Sequence, residues 1–320
     1  MLRTTLFFLG VVLLLLSACQ NNDNRLPMIE PTRSIPIERF ELAFGTKSIP
    51  LQELKASYPY LFPIQTPDSI WLNKRNDTLE HLLIKAVDSV FGDFNQQQQE
   101  IDQLFSNYQY YFPTAIIPKK GITLTTSIDY FSRVIYADSL LLLGLDNFLG
   151  ATHPFYQNFP SYLRSTMTPE DLIPALAAEL AKKQLSSTTQ GTFLSKIIQE
   201  GKLLYVQERL SPKYSMAKQL GYSQEKYEWA TRNEPEIWRY FIDNELLYST
   251  DKQLDSRFIK PAPFSKFNSE IDQESPGGIG RYIGYRIVSS YMNTTNVSIP
   301  LLLEKEAVHL LKNAKFKPNK

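Results

Sequence analysis

Few residues in this chain are able to do chemistry, and their spacing excludes the commonest sites. There are three histidines, His81, His153 and His309, and one cysteine, Cys19. A helical zinc site of the HExxH type needs two imidazoles at i and i+4. Both then reach one Zn²⁺ from a single helix face, while the intervening glutamate activates a bound water. No two histidines here are that close. A single cysteine builds neither a disulfide framework nor a thiolate cage, and no GxSxG nucleophile elbow occurs. The run Gly277-Gly278-Ile279-Gly280-Arg281-Tyr282-Ile283-Gly284 has the spacing GGxGxxxG, which is neither a dinucleotide fingerprint nor a phosphate loop. It predicts instead a loop that delivers a helix whose Gly280 and Gly284 admit another helix closely.

The chemistry left to Cys19 is acylation. Arg3 gives a short positive start, and an apolar run from Leu6 to Leu16 follows. The run is shorter than the roughly 20 residues that span a bilayer, but it suits the central segment of an export signal. It ends in Leu16-Ser17-Ala18-Cys19, which resembles the bacterial lipobox. The expected organisation is a signal peptide at 1–18, a polar tether at 19–34 and one globular domain at 35–320. Lipid on Cys19 would hold that domain on a membrane, outside the cytoplasm.

The elements that would position any site follow from composition and periodicity. Hydrophobic residues make up 43% of the chain, enough for a real core. Lys+Arg (34) nearly balances Asp+Glu (33), so no basic field exists to attract nucleic acid. Residues 77–107 have helical spacing, with Leu79, Leu82, Leu83, Ala86, Val87 and Val90 expected on one buried stripe and a break at Gly92. Short apolar runs at 121–126, 133–138 and 140–146 read as strands. Thr168-Pro169-Glu170-Asp171 is a helix start, with a cap, a proline at the first position and acids in the first turn. Helices are expected over 169–184, 191–209, 223–247, 280–292 and 299–313. The fold class is α+β, predominantly helical with a small mixed sheet.

Several blocks carry a resemblance. They are Tyr110-Tyr111-Phe112-Pro113, residues 133–150, His153-Pro154-Phe155-Tyr156, and residues 200–205, 233–251, 258–267 and 275–292. With these the chain resembles the gliding-motility lipoprotein GldB of gliding Bacteroidota, over nearly all of its mature length. The resemblance implies an envelope lipoprotein facing the periplasm, needed for surface gliding; the residue after Cys19 is Gln20 rather than an aspartate that would signal inner-membrane retention, which favours the outer membrane. The resemblance also implies partners in the gliding and type IX secretion machinery.

A more distant likeness is to zincin-type metallopeptidases, in the order of an apolar strand, a helix that should carry HExxH, and a second helix bearing a glutamate. The segment aligned with the first helix is Ala178-Glu179-Leu180-Ala181-Lys182, so non-ligands stand at both histidine positions. Glu200, heading Glu200-Gly201-Lys202, matches the third-ligand pattern. The expectation is a vestigial site of Ala178, Glu179, Lys182, Glu200 and Lys202, with no metal, no cofactor and no catalysis. If the two glutamates face each other, Lys182 and Lys202 are expected to compensate them. His153, Asn233, Glu234 and Asp251 are candidates to line a residual cleft. Competing readings are an envelope hydrolase with a non-standard site and a peptide-binding lipoprotein.

Overall fold

The computed structural model describes residues 29–137, 139–185, 191–270 and 272–318. Cys19 and the signal segment lie outside the described residues. Residues 29–34, the described end of the expected tether, lie against a helix at Asn95–Tyr111. There Gln103 Nε2 donates to the Ile29 carbonyl at 2.6 Å, and Asp102 accepts from Ser34 Oγ at 2.7 Å and from Ile35 N at 2.9 Å.

Four strands form one sheet: β1 (Ile37–Arg39), β2 (Lys120–Leu124), β3 (Val134–Ala137) and β4 (Leu140–Gly144). Their order is β1-β2-β4-β3. β1 pairs parallel to β2, and β2 parallel to β4, with Ile37 opposite Gly121 and Gly121 opposite Leu141. β3 closes the edge antiparallel to β4. The sheet is mixed, as expected, although the three-residue β1 carries no alternation long enough to read. Both faces are covered, so β4 is apolar at every position rather than alternating. Leu141 and Leu143 face the main core, while Leu140 and Leu142 face a smaller cluster around Phe40, Phe44, Leu51, Leu54 and Phe62.

The helices used below are α1 (Thr78–Phe91), α2 (Asn95–Tyr111), α3 (Leu172–Gln184), α4 (Phe193–Leu210), α5 (Gln224–Arg232), α6 (Glu234–Asp243), α7 (Ile279–Thr294) and α8 (Ile299–Glu304). Shorter helices link them. Asp77 caps α1 by accepting from Glu80 N, and Gly92 ends it at φ +49°. Leu83, Val87 and Phe91 of α1 point inward, but Leu79 and Leu82 do not, being 46% and 48% exposed. The inward position at the start of α1 is taken by Glu80, which accepts from the Thr125 hydroxyl and pairs with Lys74 at 3.5 Å. The expected stripe is therefore rotated at its first turn. The helix start expected at Thr168 forms, with Asp171 in the first turn accepting from the Thr168 N–H at 3.0 Å and from its hydroxyl at 2.7 Å. The segment 223–247 splits into α5 and α6 at Asn233, just ahead of Pro235.

The centre of the molecule is the crossing of α4 and α7. Gly280 sits beside Phe193 and Ile197, and Gly284 beside Ile197 and Gly201, so the two helices run in the same direction. A methyl on Gly284 would lie 1.7 Å from the Ile197 carbonyl oxygen, and one on Gly201 would lie 2.2 Å from the Gly284 backbone. Glycine is required on both sides of this contact.

Candidate functional site

Ala178, Glu179 and Lys182 lie on the outer side of α3. Lys182 Nζ donates to Glu179 Oε1 at 2.6 Å, with the lysine 58% and the glutamate 35% exposed. This is an ordinary surface pair one turn apart, worth little in stability.

Glu200 projects from α4 and pairs with Arg281 of α7, Nε to Oε2 at 3.2 Å. Arg281 also reaches the Leu220 carbonyl at 3.4 Å. The positive charge beside Glu200 is thus a guanidinium from another helix. Lys202 takes no part. Its buried ammonium donates to the Leu303 and Lys305 carbonyls at 2.9 and 2.6 Å, satisfying the C-terminal end of α8, and burial holds its pKa below the usual lysine value. The expectation that Lys202 compensates the acids is corrected by helix geometry. Residues two apart are turned about 200° from one another and share no face.

The cleft candidates separate. His153 caps a short turn: Nδ1 accepts from Phe155 N at 3.3 Å, and the ring packs on Phe155 and Tyr156. Burial holds its pKa below 6.5. Asp251 is exposed and caps the Gln253 N–H at 2.8 Å. Glu234 is wholly buried, and its Oε2 receives the Tyr282 hydroxyl at 2.6 Å and Arg286 Nη1 at 2.7 Å. Burial and that carboxylate push the Tyr282 hydroxyl above its ordinary pKa. Asn233 lines a pocket of about 260 Å³ between α6 and the chain around Phe267, to which the other three do not contribute.

The residues that sequence reasoning missed are those facing the acids from α7. Arg281, Tyr282, Tyr285 and Arg286 serve three glutamates: Arg281 meets Glu200, Tyr285 donates to Glu208 at 2.9 Å, and Tyr282 and Arg286 meet Glu234. Their recurrence as Arg-Tyr and Tyr-Arg four residues apart was the available signal, since such positions share a helix side. Asp146 was missed as well. Fully buried, it accepts from Thr126 N at 2.9 Å and Ile128 N at 2.7 Å, bracing the turn where Ser127 and Ile128 both have positive φ. Burial raises its pKa.

Among the described residues, no three His, Cys, Asp or Glu side chains are placed to hold a metal ion, and no helix is long and apolar enough to cross a membrane. What the geometry defines is a helix-rich α+β body in which Glu200, Glu208 and the buried Glu234 are met by arginines and tyrosines of α7. The chain belongs to the gliding motility protein GldB family, whose model matches residues 22–318. Comparison with curated proteins and with solved structures returned no match.

Proposed function

We propose that this gliding-motility lipoprotein acts by binding another protein of the cell envelope, on a metallopeptidase-like scaffold that no longer does chemistry. The observation carrying this reading is the Glu200–Arg281 pair. In a zinc enzyme the corresponding glutamate would complete a metal's coordination, with its charge answered by the cation. Here a guanidinium answers it, so the local charge is already balanced and a divalent ion would meet repulsion from Arg281. The aligned helix presents Ala178 and Lys182 where imidazoles would be needed, and both face outward. The proposed setting is the periplasmic side of the outer membrane, with the chain anchored through lipid on Cys19. The partners are components of the gliding and type IX secretion machinery.

The test is metal analysis of the purified lipoprotein together with complementation of a deletion strain. The expected result is substoichiometric metal, with colony spreading kept by the double variant Glu200→Gln, Arg281→Met. Tightly held stoichiometric metal lost in Glu200→Gln, with spreading lost in parallel, would overturn the reading in favour of a hydrolase.

A further inference from the structure

The pocket beside α6 has an aromatic floor and a polar rim in which acceptors outnumber the one basic group. The floor is Tyr240 and the buried Phe267, whose rings lie edge to face with centroids 5.1 Å apart. Tyr240 is fixed at its far end, donating to the Phe267 carbonyl at 2.8 Å and accepting from Arg257 at 2.9 Å, so its hydroxyl is engaged. At the rim, Asn233 and Asn244 each have their amide nitrogen anchored on a backbone carbonyl, that of Trp229 at 2.8 Å and of Tyr240 at 3.0 Å. An amide held that way presents its oxygen at the opposite edge. Two carboxylates complete the rim. Glu236 is shared with Arg239 at 2.5 Å, which also occupies the one basic group lining the pocket. Asp243 is exposed and carries no ion pair among the described residues.

An aromatic floor, with amide groups and an unshared carboxylate above it, suits a flat cation on an aliphatic stem. The stem packs against Tyr240 while the N–H groups reach the acceptors. A volume of about 260 Å³ admits one such side chain. We infer that this pocket receives an arginine side chain presented by an extended segment of a protein partner. The inference deepens the proposed binding role by naming a site and a partner chemistry, and it rests on that reading.

The experiment uses the full lipidated chain in nanodiscs and fluorescence anisotropy with a fluorescein-labelled peptide, Gly-Ala-Arg-Ala-Gly amide. Saturable binding is expected, weakened about tenfold or more when citrulline replaces the arginine and by a similar factor in Asp243→Asn, whose exposed position leaves the fold intact. Equal affinity for the citrulline peptide, or an unaltered Asp243→Asn variant, would overturn the inference. So would the absence of binding up to about 5 mM peptide. Agmatine supplies the guanidinium without a peptide backbone. Competition by it as effective as unlabelled peptide would reassign the pocket to a small cation and also overturn it. None of these results bears on metal content, so failure here is distinguishable from failure of the binding reading itself.

Discussion

Gly201 and Gly284 meet backbone to backbone where α4 and α7 cross, a distance at which neither helix has room for a methyl group. The atoms a new Cβ would strike are main-chain atoms of the facing helix. Relief therefore cannot come from a side-chain rotation and must come from separating the helices.

Gly284→Ala is accordingly expected to destabilise the protein by about 1–3 kcal/mol or more, the range of overpacked cores. Gly201→Ala should act the same way at the same contact. Once one methyl has parted the helices, the second is partly accommodated, so the double variant should cost less than the sum of the two singles. Denaturant midpoints of the four proteins measure this. Strict additivity would mean that the two glycines do not share one contact.

Glu234, beneath the junction of α5 and α6, is held between Tyr282 and Arg286. Removing a buried carboxylate from its partners costs about 3–5 kcal/mol, whereas replacing both members of a pair by apolar residues costs far less. Glu234→Leu should therefore be severe, and Glu234→Leu combined with Arg286→Met should recover much of the loss. Tyr282→Phe, which deletes a hydrogen bond to a charged acceptor, should cost about 1.5–3 kcal/mol. Chemical denaturation of the set decides it. A double variant no better than the single would show that the pair is not the unit of stability.

His153 supplies a pH dependence. Its Nδ1 must be unprotonated to accept from Phe155, and burial lowers its pKa from 6.5. A base with a lowered folded-state pKa contributes stability that is present above its unfolded value and lost as pH falls below it. Melting temperature should thus decline from about pH 6.5 downward more steeply in the wild type than in His153→Asn. Asparagine keeps an acceptor for the same N–H without titrating. Matching slopes for the two proteins would remove the imidazole from this role.

Much of the candidate site was legible only in part. Glu200 and Glu179 were visible as carboxylates on successive helices, yet only Glu179 is partnered by the lysine nearest to it in sequence. Lys182 does pair with Glu179, because three residues on a helix bring side chains together. Lys202 points the other way from Glu200, toward the end of α8, about one hundred residues later in the chain. The stripe on α1 misled for a related reason. Leu79 and Leu82 fit the apolar period, but Thr125 and Lys74 offered Glu80 partners that outweighed it.

From sequence alone came whatever depends on neighbours within a turn or two. The helix start at Thr168, the break at Gly92 and the three longer strands all belong to that kind, because caps, turns and side-chain period act locally. The tertiary structure decided the strand order with its unforeseen β1, the arginine that answers Glu200, and the burial of Glu234 against Tyr282, 48 positions away. Those contacts join residues whose meeting is set by the path of the whole chain. No local preference encodes it, since each residue would be equally content as a solvated charge until packing removes the water.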